Sequence, residues 1–236
     1  MKKKVIAALA AVLCASVAMA DMISIVGSNK DNFVFSSGSV NGNAASPLAR
    51  VGNPTLTAGT STNMSYVIPF LLPALTGGNT ITGATLSVFV SNTVVFATNT
   101  IHMDILGGRT GTNATVLASD WNYGSVLAND VVNISTNRGL GINPPATNTL
   151  YTFVLNNSFF QNLYDAGNAG KIVFITLMAD GVNNTTANNY LNIETADHPT
   201  VANRPTLNLY TIPEPATIGM LGLGALVAVL IRRVRS

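Results

Sequence analysis

Four places in the sequence carry residue types that could do chemistry. His102 and Asp104 stand at i and i+2, a spacing that puts two side chains on one face of a strand, where both could point at one metal ion. No third or fourth ligand stands near them in sequence, and outward polar residues on a half-exposed strand look the same. His198 precedes Pro199 in a loop-like setting, where it reads most simply as a solvated residue. Glu194 could pair with one of the aspartates between Asp21 and Thr211 to flank a glycosidic bond, which needs two carboxylates roughly 5 to 10 Å apart. Carboxylates are too common for that to select a pair. The stretch Ser119-Asp120-Trp121-Asn122-Tyr123-Gly124 holds the only tryptophan. Trp121 and Tyr123 could stack on a sugar ring while Asp120 and Asn122 bond its hydroxyls. A lone Trp packed in or over a β core is the plainer reading. Asp120, Asp130, or Asp180 with Asn183 could serve calcium, but without a loop signature. There is no Ser-His-Asp constellation and no Gly-x-Ser-x-Gly, so the expectation is a non-enzymatic protein with no metal and no cofactor.

The elements that would position these residues are mostly strands. Short alternating or continuous apolar runs are separated by Asn-, Gly-, Ser- and Thr-rich punctuation. The first predicted strands are Met22 to Val26 and Phe33 to Phe35; Asn41 to Thr62 reads mostly as loop. Tyr66 to Leu72 carries Pro69, which places it at an edge or a bulge. Ile81 to Val90 alternates Leu86, Val88 and Val90 against Thr85, Ser87 and Phe89. Ile101 to Leu106 alternates likewise, with Gly107-Gly108 closing it. Further strands are predicted at Val131 to Ser135, Leu150 to Leu155, Lys171 to Ala179, Tyr190 to Thr195 and Thr206 to Tyr210. Lys171 to Ala179 is apolar on both faces apart from Thr176, so it should be central and covered on both sides. Asn157 to Ala166 breaks the pattern: a cap at Asn157 or Ser158, Phe160, Leu163 and Tyr164 at helical spacing, and a stop at Gly167 predict one short, core-packed helix. About ten strands and one helix indicate an all-β, antiparallel two-sheet β-sandwich of jelly-roll type.

The two ends differ from this domain. Lys2 to Lys4, the apolar core Val5 to Val17 and Ala18-Met19-Ala20 make a secretory signal peptide over residues 1–20, with Ala18 and Ala20 marking cleavage and the Sec export machinery as partner. Cys14, the only cysteine, lies inside it after Leu13, so the exported chain has neither disulfide nor thiol chemistry. At the other end, residues 212–236 hold Pro213-Glu214-Pro215, an apolar run over 216–231 free of charge and proline, and a tail over 232–236 with Arg232, Arg233 and Arg235. Sixteen helical residues reach roughly 24 Å, a little under a hydrocarbon thickness of about 30 Å, so flanking residues would snorkel or the bilayer thin. The arginines place the tail in the cytoplasm and the domain outside. Gly222-Leu223-Gly224 lies in this run as small residues permitting helix contact, with no strand before it to make a dinucleotide fingerprint.

Triplet, span and basic end, in that order, resemble the PEP-CTERM sorting signal of bacterial exported proteins. The resemblance implies recognition by exosortase, a membrane-embedded cysteine transpeptidase-like enzyme, and hence a precursor held in the membrane by the C-terminal helix before processing. An ordinary single-span anchor is the plainer alternative.

The whole chain has a formal charge of +2 and a pI near 8.8, yet its ends carry much of the positive charge. Between Asp21 and Thr211 the basic residues are Lys30, Arg50, Arg109, Arg138, Lys171 and Arg204, against eight aspartates and Glu194, leaving about −3. No basic patch remains to track phosphates, so nucleic acid is excluded as a partner. The exported part, 21–211, is about 190 residues, enough for one substantial core. It resembles the secreted jelly rolls called DNRLRE domains. The matching pieces are Gly78-Asn79-Thr80-Ile81-Thr82-Gly83-Ala84-Thr85-Leu86, Trp121-Asn122, Gly167-Asn168-Ala169-Gly170, and Arg204-Pro205-Thr206-Leu207 with Tyr210. A departure is Leu163 or Tyr164 where a helical Trp is expected. That likeness implies a non-catalytic surface or polysaccharide-associated module. Together these readings predict an envelope or extracellular-matrix protein, structural or adhesive in an exopolysaccharide context. The alternatives are a carbohydrate-binding module using Trp121 and Tyr123, or a secreted polysaccharide hydrolase.

Overall fold

A computed structural model describes residues 20–41, 45–53, 63–75, 79–94, 102–133, 147–180 and 189–212. The expected signal peptide, apart from Ala20, and the 213–236 tail lie outside the described residues. The described chain is mostly β: β1 (Asp21–Val26), β2 (Asn32–Phe35), β3 (Leu48–Asn53), β4 (Met64–Leu71), β5 (Thr80–Val94), β6 (His102–Gly111), β7 (Ser125–Asn133), β8 (Thr149–Leu155), α1 (Asn157–Asp165), β9 (Ile172–Asp180), β10 (Asn189–Glu194) and β11 (Thr206–Ile212). No helix among the described residues is long and apolar enough to cross a membrane.

All pairings are antiparallel, and they join the strands into one curled 11-stranded sheet with the path β1-β11-β5-β10-β3-β4-β9-β6-β7. β2 adds to β4 and β8 to β5. Where two separate sheets were expected, the strands form two groups joined at β3 and β4 through the single pair Gly52↔Met64. β5 is the spine of one group. Its residues from Thr80 to Ser87 pair with β11 and those from Val90 to Val94 with β10, while β8 runs along Ala84 to Val90. β9 is the spine of the other, between β4 and β6, and is buried from Val173 to Leu177 as its two-faced apolar run predicts.

One core serves both groups. Tyr66, Ile68, Phe70, Val173 and Ile175 from the β9 group pack with Leu86, Val88, Leu191, Ile193, Leu207 and Leu209 from the β5 group. Burying each large aliphatic or aromatic side chain contributes roughly 1.5 to 3 kcal/mol. The helix α1 adds Phe160, which is fully buried. Its N-cap is Asn156, one residue before the expected cap, and the Asn156 side chain accepts from Ser158 N–H at 3.0 Å. Gly167, at φ +71°, ends it by donating to the Tyr164 carbonyl.

Four local expectations change. β3 lies inside the segment expected to be loop. Pro69 lies in a strand with partners on both sides, not at an edge. Its carbonyl accepts from Ser28 N–H, so its missing N–H faces the side where the β2 ladder has already ended at Val67. β6 runs through Gly107-Gly108 rather than stopping there, with its register to β9 shifting beyond Gly107. β7 begins at Ser125, earlier than the expected Val131. The chain passes from one strand group to the other between β1 and β2 at Gly27, where a Cβ would meet Ile68 Cγ2 at 2.8 Å.

Candidate functional site

The Trp121 loop is built on an ion pair. Arg109, near the end of β6, holds its Cζ over the Phe174 ring of β9, 3.7 Å from its centroid. From there its Nε donates to Asp120 Oδ1 at 2.8 Å and its Nη2 to Asp120 Oδ2 at 2.9 Å, a two-pronged fit of guanidinium to carboxylate. Nη2 also donates to the Thr115 carbonyl at 2.6 Å. Asp120 is buried and accepts in addition from Leu117 N–H at 2.8 Å, while its carbonyl accepts from the Thr176 hydroxyl at 3.2 Å. The loop closes at Gly124, whose φ of +126° and contact with the β6 backbone admit no side chain: a Cβ there would stand 2.1 Å from the Gly107 carbonyl oxygen.

This clamp separates the two aromatics. Trp121 packs, partly buried, against the cluster of Val34, Val67, Val116 and Phe174. Tyr123 is 55 % exposed. Asp120 is committed to Arg109 and the loop backbone. Of the stacking constellation read from the sequence, Tyr123 and Asn122 are the members that face solvent.

His102 opens β6 in register with Asn133 of β7 and Asp180 of β9. Asp104 is buried rather than on a half-exposed face, and its Oδ1 accepts from Asp130 N–H at 2.8 Å. That bond falls where the register between β6 and β7 shifts and where Asp130 takes a φ of 50°. Asp104 thus holds a β-bulge whose backbone it bonds. No group of three or more His, Cys, Asp and Glu able to hold a metal occurs among the described residues.

A second polar knot went unseen in the sequence. Asp31, in the β1–β2 turn, is buried; its Oδ2 accepts from the Tyr66 hydroxyl and, at 2.8 Å, from Ala196 N–H. Burial pushes the Asp31 carboxyl up to about 6, aided by the nearby Asp197 charge and opposed by those two hydrogen bonds. The Tyr66 hydroxyl is likewise raised, by burial first and then by the Asp31 charge. Glu194 is buried beside this turn, with Oε2 3.1 Å from His198 Nδ1 but not aligned as a hydrogen bond. His198 Nδ1 accepts from Thr200 N–H at 3.2 Å, so this histidine is tied into its loop rather than simply solvated. Asp31 and Ala196 are 165 residues apart in sequence, and no short motif could have joined them.

β11, the last strand, ends at Ile212, directly before Pro213. No curated protein matches this chain, and the DNRLRE-type likeness of the exported region gains no support from the comparisons. A family model described as the PEP-CTERM protein-sorting motif matches residues 211–235, beginning within β11. The chain therefore carries a PEP-CTERM protein-sorting motif, which implies export to the cell envelope or surface and processing by exosortase.

Proposed function

We propose that this chain is a non-enzymatic protein of the bacterial envelope or extracellular matrix, structural or adhesive in an exopolysaccharide context. The observation that carries the reading is the sorting motif at 211–235, which starts within the last strand of the β domain. With no linker between them, the domain rests against the membrane until exosortase acts. On this reading residues 216–231 are the transient membrane helix, Arg232, Arg233 and Arg235 its cytoplasmic stop, and Pro213-Glu214-Pro215 the recognition element. On the same reading the signal peptide is removed after Ala20, directly before Asp21, where β1 begins. The curled antiparallel sheet then serves as a jelly-roll sandwich, with a surface kept wet by Thr, Ser and Asn rather than by charge. The pair Ser24–Asn208 (2.7 Å), between the outer strand β1 and its neighbour β11, is of this kind.

A strain lacking this gene should lose cell–cell cohesion or matrix retention, and the wild-type gene should restore it. Intact cohesion and matrix in the deletion strain would refute the role. The carbohydrate-binding reading is kept alive by the exposure of Tyr123. Its test is Tyr123→Ala, which spares the core packing that Trp121→Ala would disturb. Polysaccharide retention unchanged in that variant removes this loop as a glycan site. A secreted hydrolase would instead release reducing ends from a polysaccharide panel.

A further inference from the structure

A cleft of about 480 Å³ opens between β2 and the face shared by β3 and β10. Its volume falls in the range of roughly 300 to 1,000 Å³ usual for small-ligand sites. One wall is aromatic: Phe33 and Phe35 meet edge to face, ring centroids 5.6 Å apart. The opposite wall is polar. Arg50 of β3 and Asn192 of β10 are cross-strand partners, and Asn192 is held in place by donating its side-chain N–H to the Asn92 side chain. Asn41, Ser46, Leu48 and Met64 complete the lining.

Arg50 is the informative residue. Among the described residues it is the only charged side chain lining the cleft, and it makes no ion pair with any of them. In place of an acid it has a ring: its guanidinium stands 5.2 Å from the Tyr190 centroid. A cation–π contact of this kind restrains the guanidinium without using up its N–H donors, which stay available to a partner. This contrasts with Arg109, whose guanidinium is paired with Asp120. A partly buried, oriented cation facing aromatic rings selects a ligand with an apolar face and a carboxylate. A sugar acid has both, since its axial C–H groups suit a ring and its carboxylate suits the guanidinium fork.

We propose that this cleft binds a carboxylated sugar residue of an anionic polysaccharide, with Arg50 holding the carboxylate, Asn192 a neighbouring hydroxyl, and Phe33 and Phe35 the ring face. The proposal deepens the matrix role and rests on it for the kind of polymer the protein meets.

The test is calorimetric titration of the full-length chain in detergent with tetragalacturonate, and with neutral cellotetraose as control. Tetragalacturonate should bind at least tenfold more tightly than cellotetraose, and its affinity should fall as sodium chloride is raised. Arg50→Gln should weaken it tenfold or more. Arg50→Lys keeps the charge and the stem but loses the fork, and should fall between the two; it carries the comparison should Arg50→Gln fail to fold. No tetragalacturonate binding, equal binding of the neutral sugar, or wild-type affinity in both Arg50 variants would overturn the cleft assignment. Such a failure in a chain still exported and processed in cells leaves the sorting reading intact. Binding in a chain that exosortase ignores would do the reverse.

Discussion

Removing the Arg109 guanidinium should cost more than its partial exposure suggests. The Arg109 side chain is 23 % exposed but the Asp120 side chain only 3 %. Arg109→Met keeps the stem over Phe174 and strands a nearly buried carboxylate whose remaining donor is the Leu117 backbone N–H. Breaking a buried pair from one side costs about 3 to 5 kcal/mol. Lost stacking on Phe174 adds about 1 kcal/mol. Asp120→Asn keeps the shape and removes the charge, losing charge-assisted bonds worth about 1.5 to 3 kcal/mol. The double variant should be less damaged than the sum of the two, because no buried charge is left alone, and a coupling of about 1.5 kcal/mol or more is expected. Urea unfolding followed by the emission of Trp121, the only tryptophan and a neighbour of the pair, gives all four corners of the cycle. A loss under about 1 kcal/mol in Arg109→Met, or additivity within about 0.3 kcal/mol, would refute the clamp.

Asp31 gives a pH prediction. Its carboxyl stands at about 6 in the folded chain against 3.8 as the reference, so between those values the folded state holds more protons than the unfolded one. The stability this group contributes is therefore full below about pH 4 and lost as the pH rises through 6, a change of about 3 kcal/mol. Asp31→Asn should flatten the profile over that window, and equal slopes for variant and parent in unfolding at pH 4 to 7 would contradict the assignment. At Gly124, with φ +126° and a Cβ position 2.1 Å from the Gly107 carbonyl oxygen, alanine should cost about 3 kcal/mol or more and shift Trp121 emission. A thermal midpoint unchanged by Gly124→Ala would show that the loop does not rest on β6 as described. Alanine at Tyr123, exposed and outside the core, should change stability by no more than about 0.5 kcal/mol in the same assay.

What the sequence made legible was local and periodic. β5, β8, β9 and α1 follow from alternation, from an uninterrupted apolar run, and from Phe160, Leu163 and Tyr164 at helical spacing. β3 was hidden because only Ala49 and Val51 face the core, while Leu48 and Arg50 alternate outward and Gly52 weakens the pattern. β7 lost its early half because the bulge at Asp130 breaks the period of two and Val126 is exposed. The polar residues were harder still. Asp104 and Asp120 looked like ligand carboxylates from their neighbours in sequence, whereas their partners are a backbone N–H 26 residues away and a guanidinium 11 residues away. The Arg50 cleft is assembled by β2, β3, β4 and β10, so nothing within one stretch announces it. The sorting signal was legible because its triplet, apolar run and basic end are contiguous in sequence.

The central claim is that the chain is exported and released from a membrane-held precursor through residues 211–235. The most direct measurement is the intact mass and cell fraction of the native protein in the host and in the same host lacking exosortase. With the enzyme present, the account predicts a mature chain that has lost the arginine-rich end and sits at the envelope surface or beyond. Without the enzyme it predicts a heavier chain, complete through Ser236 and confined to the membrane fraction. One mass and one location in both strains would contradict it.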